Sequence, residues 1–135
     1  MKKLQHILVV DDDYASNYLT RAILEDMDIA ESVHTASNGE EAIKFIKQQC
    51  HDIQNFCPEL ILLDVNMPVM NGFEFMEQFN NLKDLKHANT TVVMLTSSNS
   101  ERDTQKAIEY KVACYLEKPL SEYSLRSVLS YRDFI

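Results

Sequence analysis

Three unbroken runs of apolar residues constrain the fold of this chain more than any other feature. They are ILVV at residues 7–10, LILL at residues 60–63 and VVML at residues 92–95. Short continuous runs of this kind are typical of strands buried on both faces of a parallel sheet, because a half-exposed strand would alternate apolar and polar residues. Weaker runs at residues 113–116 and 32–36 predict two more strands, and the lower apolarity of residues 32–36 indicates an edge strand.

Helical periodicity fills the segments between these strands. Apolar residues three or four positions apart predict five helices, of which the first runs from about Tyr14 to Met27. The apolar positions that define the helices are Leu19, Ala22, Ile23 and Met27; Ala42, Ile43 and Ile46; Phe73, Met76 and Phe79; Ala107 and Ile108; and Leu125, Val128 and Leu129. Asn38 and Ser121 are placed to cap the second and fifth helices. Strands alternating with helices predict a doubly wound α/β fold with a five-stranded parallel sheet between two helical layers.

Length and charge narrow the class of protein. The 135 residues suffice for one domain and are too few for two, so we expect a single domain over residues 1–135 with no output domain. The net charge of −8 disfavours nucleic acid as a partner. Neither a membrane span nor a secretory leader is evident, so we expect a cytoplasmic protein that does not bind membranes. Residues 48–58 form the one long irregular connection that the pattern predicts.

The cysteines and histidines give weaker signals. Cys50, Cys57 and Cys114 contain no Cys-x-x-Cys spacing, so we expect reduced thiols rather than a disulfide or a metal site. His6 and His34 are far apart in the chain, and we expect surface or strand-edge positions for them.

Polar residues follow four of the predicted strands at the point where each strand ends. The strings are DDD at residues 11–13, DVN at residues 64–66, TSS at residues 96–98 and EKP at residues 117–119. Each residue alone could be a cap or a turn former. Ligands of open α/β sheets bind beyond the carboxyl ends of the strands, however, so we expect a shared site. Its expected members are Asp11, Asp12, Asp64, Thr96 and Lys118.

Three carboxylates in one pocket repel one another, and a hard divalent cation relieves this repulsion. We expect Mg²⁺, or alternatively Mn²⁺, between Asp12 and Asp64 with a further oxygen from the backbone carbonyl of Asn66. Lys118 adds a second positive charge and the Thr96 hydroxyl adds a hydrogen-bond donor. This set suits an incoming phosphoryl group, with the Asp64 carboxylate as the nucleophile.

Four strings of the sequence resemble the receiver domains of two-component signalling. They are VVDD at residues 9–12, LDVNMPVMNG at residues 63–72, MLTS at residues 94–97 and YLEKP at residues 115–119. Each string alone is weak, but their order and separations match the family over nearly the whole chain. The resemblance is to single-domain, chemotaxis-regulator-like members, and it implies a flavodoxin-like sheet in the order 2-1-3-4-5.

The resemblance also assigns roles to the residues of the site. It implies that Asp64 is the phosphoacceptor and that Asp11 and Asp12 hold Mg²⁺ together with Asp64 and the carbonyl of Asn66. It implies that Lys118 binds the phosphoryl group.

Five further expectations concern residues around the acceptor. The resemblance implies that Thr96 is a switch hydroxyl and that Tyr115 reorients when Thr96 moves. It implies a cis bond before Pro119 and a backbone conformation at Gly72 that other residues resist. Asp13 has no fixed role in the family, and we expect it to cap the first helix.

The function that the resemblance implies is that of a stand-alone response regulator. Such a chain accepts its phosphoryl group from a sensor histidine kinase or a histidine phosphotransfer protein. It then binds a downstream target through the face formed by the fourth helix, the fifth strand and the fifth helix. We expect a switch rather than an enzyme with a separate substrate, and either a relay intermediate or a terminal regulator fits.

Three other functions share parts of this pattern. A flavin carrier of the flavodoxin type needs a Gly-, Ser- and Thr-rich first loop, and Asp11, Asp12 and Asp13 would repel its phosphate. A phosphatase of the haloacid dehalogenase type would use Asp11 and Asp13 as its Asp-x-Asp start, but Ala15 replaces the expected Thr or Val and no second acidic cluster ends a late strand. A degenerate receiver that only binds proteins has no use for the intact cluster of charges.

Overall fold

The computed structural model describes residues 4–50, 57–65, 67, 70–82, 90–96, 105–106, 108–110, 112–118 and 120–131. In chain order, its elements are β1 (Leu4–Val10), α1 (Tyr14–Met27), β2 (Ala30–Ala36), α2 (Gly39–Gln49), β3 (Leu60–Asp64), α3 (Gly72–Asn80), β4 (Thr91–Thr96), β5 (Cys114–Glu117) and α4 (Glu122–Tyr131). Gln105, Lys106, Ile108 and Glu109 are helical and lie where the fourth helix is predicted, so α4 corresponds to the fifth predicted helix.

The five strands form one parallel sheet in the order β2-β1-β3-β4-β5, which confirms the predicted fold class. Strand β3 is buried along its whole length, whereas the edge strand β2 is mostly half-exposed, as its lower apolarity predicts. The order reverses between β1 and β3, where Val10 pairs with Leu63. This register places the residues that follow Val10 beside those that follow Leu63, at the switch point where ligands of such sheets bind.

Two apolar clusters cover the two faces of the sheet, and successive strand residues belong to different clusters. Leu8, Ile61 and Met94 pack on the side of α2 and α3, whereas Ile7 and Leu62 pack on the side of α1 and α4. This alternation explains the continuous apolar runs, because every residue of the central strands must be buried on one side or the other.

The predicted apolar face of α1 is partly wrong. Leu19 is 61% exposed, whereas Thr20 and Leu24 are buried. Ile23 and Met27 pack at the border of the core cluster, as partly buried residues. Helix α1 is therefore rotated about its axis relative to the prediction, because its contacts with β1, β2 and α4 select which stripe is covered.

Three helix caps in the structure are the ones predicted from the sequence. The Asp13 carboxylate accepts a hydrogen bond from the Ala15 backbone N–H at 3.0 Å, and Asn38 accepts one from the Glu41 N–H at 2.8 Å. The Ser121 hydroxyl accepts from the Ser124 N–H at 3.0 Å. All three cap predictions are confirmed, since short polar side chains satisfy amide donors that lack an intrahelical partner.

The reason for glycine at position 72 differs from the predicted one. No glycine of the described residues has a positive φ angle, so the expectation of an unusual backbone conformation at Gly72 is wrong. A Cβ atom there would instead lie 2.8 Å from the carbonyl oxygen of Asp64 and 2.9 Å from the Cα of Val65. Glycine is required because the start of α3 approaches the end of β3 too closely for any side chain.

The expectation of three reduced cysteines is wrong. Cys50 and Cys57 form a disulfide whose Cα atoms are 4.6 Å apart, and Cys114 is a free thiol. Because α2 continues to Gln49 and Cys50 caps it, the connection predicted from residue 48 begins later, and the disulfide closes it. The seven-residue separation matches no common motif, so spacing alone gave no signal.

His34 lies on the edge strand β2, as expected, and both it and His6 are half-buried, but the two rings are also in contact. His6 Nδ1 lies 3.0 Å from His34 Nε2, because the two residues point to the same face of the neighbouring strands β1 and β2. The His34 ring also contacts Phe45 of α2. Among the helices that the structure describes, none has the length and apolar character that a membrane crossing requires.

Candidate functional site

Three carboxylates meet at the carboxyl ends of β1 and β3. One oxygen from each of Asp11, Asp12 and Asp64 lies within 4.8 Å of the others. Asp11 and Asp64 are 3% and 4% exposed, whereas Asp12 is exposed. The structure therefore brings together the three acids that the sequence predicts, at the point where the strand order reverses.

A lysine from the far edge of the sheet completes the charged cluster. Lys118 Nζ lies 2.6 Å from Asp11 Oδ2 and 3.6 Å from Asp64 Oδ1. Its backbone N–H donates to the Thr96 carbonyl at 2.6 Å, which holds the end of β5 against the end of β4. The ammonium group can therefore reach both buried acids although it is more than 50 residues away from either in the chain.

The electrostatics of the cluster keep this lysine charged. Burial lowers the pKa of Lys118, but the hydrogen bond to Asp11 and the negative charges of Asp64 and Asp11 outweigh burial and raise it. Three carboxylates and one ammonium leave two uncompensated negative charges. This oxygen-rich donor set fits a hard divalent cation such as Mg²⁺, which prefers carboxylate and water ligands.

The loop that carries Asp11 is held from several sides. The Asp11 backbone N–H donates to the Ala36 carbonyl at 3.1 Å, and the Asp11 carboxylate accepts from the Asp13 N–H at 2.9 Å. The Asn17 side-chain amide donates to the Asp11 backbone carbonyl at 2.8 Å. Asn17 is not among the site residues that the sequence predicts, since an Asn early in a helix is an ordinary residue and no motif marks it.

The two residues of the predicted switch lie on neighbouring strands. Thr96 is fully buried at the end of β4. Tyr115 pairs in register with Met94, and its ring packs, partly buried, against the core cluster on the α2 and α3 side. Its hydroxyl is buried and has no hydrogen-bond partner within the part of the chain that the structure describes. Asn66 and Pro119, which carry two further expectations, lie outside the described residues.

Large apolar side chains are exposed on the helix next to the acid cluster. Tyr14, Tyr18 and Leu19 of α1 are 85%, 65% and 61% exposed. Tyr14 follows directly after the loop of Asp11, Asp12 and Asp13. Tyr14 and Tyr18 line the same cavity as Asp11 and Asp12, and exposed aromatic side chains beside a site are typical of a surface that contacts another protein.

Comparison with known proteins gives one consistent family. A family model of the response regulator receiver domain matches residues 7–130. The response regulator Rcp1 from Synechocystis sp. is 35% identical over 112 residues, which cover 83% of this chain and 75% of that protein. Several other curated relatives are much longer, and the matched part amounts to between 6% and 54% of their length.

Solved structures agree with this match. A two-component response regulator from Cytophaga hutchinsonii superposes with a TM-score of 0.86 at 28% identity, covering 98% of both chains. The chemotaxis protein CheY4 from Vibrio cholerae superposes with a TM-score of 0.78 at 28% identity, covering 95% of this chain and 98% of that one. The chain therefore belongs to the response regulator receiver domains, a family whose general function is phosphorylation on an aspartate in two-component signalling.

Proposed function

We propose that this chain is a response regulator receiver that accepts one phosphoryl group on Asp64. The observation that carries the proposal is the position of this buried carboxylate, which shares a pocket with Asp11 and Asp12 and lies 3.6 Å from Lys118. The donor is a sensor histidine kinase or a histidine phosphotransfer protein. Residues 1–135 act as a receiver domain in the cytoplasm, and their partners are proteins rather than nucleic acid or membrane.

The contacts of the two buried acids, Asp11 and Asp64, support different roles for them. Asp11 is engaged by the close ion pair with Lys118, at 2.6 Å, and by the Asp13 N–H. Asp64 ends the central strand β3, and its oxygen lies an ångström farther from the lysine than that of Asp11 does. In the transfer, an Asp64 oxygen forms a bond to phosphorus while the phosphorus–nitrogen bond of the donor histidine breaks, and the departing imidazole keeps the electron pair and takes up a proton.

The remaining charges serve the phosphoryl oxygens. Asp11, Asp12 and Asp64, with the carbonyl of Asn66, would hold Mg²⁺ or Mn²⁺, and the bound ion supplies positive charge where negative charge builds up. Lys118 stays protonated through the neutral range, because the neighbouring acids raise its pKa, and it offers a second cation to the same oxygens. Stabilising this charge is most of what phosphoryl transfer requires.

The phosphoryl group then changes the surface through Thr96 and Tyr115. Thr96 moves toward the new oxygens, and Tyr115 turns into the space that it leaves. The Tyr115 hydroxyl is buried and has no hydrogen-bond partner among the described residues, which supports this step, since an unsatisfied polar group costs about 1–3 kcal/mol and favours a rearrangement. The target protein binds the face formed by the helical residues around Ile108, by β5 and by α4, and Ile108 is 71% exposed there.

The protein acts as a switch and not as an enzyme with its own substrate, whether as a relay intermediate or as a terminal regulator. The exposed Tyr14, Tyr18 and Leu19 of α1 offer the phosphodonor protein an apolar contact beside the acid cluster. A bound partner shifts the equilibrium between the two states of the receiver only to the extent that its affinities for those states differ.

Intact-protein mass spectrometry tests the proposal. The wild-type chain is incubated with a small-molecule phosphodonor, with Mg²⁺ or with a chelator, beside Asp64→Asn and the control Asp13→Asn. We expect a Mg²⁺-dependent gain of one phosphoryl group in the wild type and in Asp13→Asn, because Asn caps a helix as well as Asp does. Asp64→Asn should gain none.

Other outcomes would contradict specific parts of the proposal. Labelling that persists in Asp64→Asn would place the acceptor elsewhere, and labelling in chelator would remove the role of the metal. No labelling of the wild type, either by the small molecule or by a histidine kinase, would indicate a domain that only binds proteins.

A further inference from the structure

Asn17 breaks two rules of stable helix design at a position next to the acid cluster. It lies in the first turns of α1, where Asn is a poor helix former compared with Leu or Ala. Its Oδ1 atom is buried and has no hydrogen-bond partner among the residues that the structure describes. A buried acceptor without a donor lowers stability, and an apolar side chain of the same size would avoid this cost.

The helix does not need the Asn17 side chain in order to form. The Asn17 backbone N–H already donates to the Asp13 carbonyl at 3.0 Å, and the cap is supplied by Asp13 itself. What the side chain adds is one bond outside the helix, from Nδ2 to the backbone carbonyl of Asp11 at 2.8 Å. Residues that break local rules in this way are expected at functional positions.

The hydrogen bond from Asn17 to the Asp11 carbonyl helps to set the orientation of the Asp11 and Asp12 side chains. The Asp11 carbonyl belongs to the peptide group that joins Asp11 to Asp12. A hydrogen bond to this carbonyl therefore fixes the orientation of that peptide plane, and with it the direction in which the Asp12 side chain leaves the backbone. Asp12 is the exposed member of the cluster, and its direction depends on the backbone that carries it. Asp11, Asp12 and Asn17 also line one cavity of about 230 Å³.

We propose that Asn17 is a positioning residue for the metal-binding acids. Its side-chain amide holds the peptide between Asp11 and Asp12 so that both carboxylates face Asp64. The inference rests on the proposed function, in which these acids hold Mg²⁺. Groups that orient the ligands of a metal without touching it commonly change its affinity by about ten-fold or more when they are removed.

Mg²⁺ titration by calorimetry, together with thermal unfolding of the metal-free chain, tests the inference. Asn17→Leu fills the same space without polar atoms, and Asn17→Ala removes the side chain. We expect both variants to bind Mg²⁺ about ten-fold more weakly than the wild type. Asn17→Leu should keep or raise the melting temperature, because it removes the unpartnered acceptor. The matched control Asn38→Ala loses the cap of α2 and should melt earlier while binding Mg²⁺ as the wild type does.

A phosphorylation assay separates positioning from a general loss of structure. In both Asn17 variants the Mg²⁺ concentration for half-maximal labelling should rise, while the labelling rate at saturating Mg²⁺ stays close to that of the wild type.

Unchanged Mg²⁺ affinity in Asn17→Leu would overturn the inference and leave the proposed function intact. If that variant does not fold, unchanged affinity in Asn17→Ala would overturn it equally. A wild-type chain that binds no Mg²⁺ would refute the proposed function itself, and the role of Asn17 with it.

Discussion

Reducing the disulfide between Cys50 and Cys57 should lower the free energy of unfolding by about 2.4 kcal/mol. The two cysteines are seven positions apart, and closing a ring of that size removes about 8 cal/mol/K of entropy from the unfolded chain. Both residues pack with the core cluster on the α2 and α3 side, and Cys50 is 1% exposed. The folded state should therefore keep its packing as a dithiol, so that most of the loss comes from the unfolded chain.

The loss should appear as a change in melting temperature. A chain of 135 residues unfolds with an entropy of about 0.28 kcal/mol/K, so 2.4 kcal/mol corresponds to about 8 °C. Thermal unfolding with and without a reductant measures the change. Cys114→Ser should show the full shift, because Cys114 is outside the disulfide, and Cys57→Ser should show none.

Thiol titration of the denatured chain checks the bond directly. One free thiol is expected without reductant and three with it. Equal melting temperatures under both conditions, together with three free thiols before reduction, would refute the stabilising role of this disulfide and the bond itself.

Two further predictions follow from local contacts. Gly72→Ala should cost at least about 2 kcal/mol, because its Cβ would meet backbone atoms of β3 at 2.8 Å and 2.9 Å. Gly39→Ala should cost less than Gly72→Ala, because the three atoms nearest to its Cβ all belong to the side chain of Met70, which can shift more easily than backbone. Urea unfolding measures both, and equal losses would contradict the distinction between backbone and side-chain neighbours. The pKa of His34 is lowered by burial and then by the charges of His6 and Arg21, so its contribution to stability is complete above its ordinary value of 6.5 and is lost as the pH falls through its lowered value. Urea unfolding at a series of pH values should therefore show that the free energy of unfolding falls less steeply with acid in His34→Gln than in the wild type. An equal fall in both would contradict the role of His34.

Much of the fold follows from local properties of the chain. The runs at residues 7–10, 60–63 and 92–95 are apolar at every position, and only a strand with a helical layer on each side buries all of them. The polar residues at the ends of these runs predict the meeting of Asp11, Asp12 and Asp64, because parallel strands in adjacent positions end at the same edge. Asp13 and Asn38 mark the starts of helices, because each accepts a hydrogen bond from a backbone N–H only two or three residues further along the chain.

Other features depended on how segments of the chain pack against one another in the folded structure. Leu19 and Leu24 are both apolar residues of α1, and only contact with the sheet and α4 decided that Leu24 is buried and Leu19 exposed. The disulfide and the contact between His6 and His34 join segments whose separation in space no local pattern encodes. The roles of Gly72 and Asn17 likewise come from single close approaches to another part of the backbone. Periodicity and strand ends report on each segment by itself, whereas such approaches are set by the packing of segments against one another.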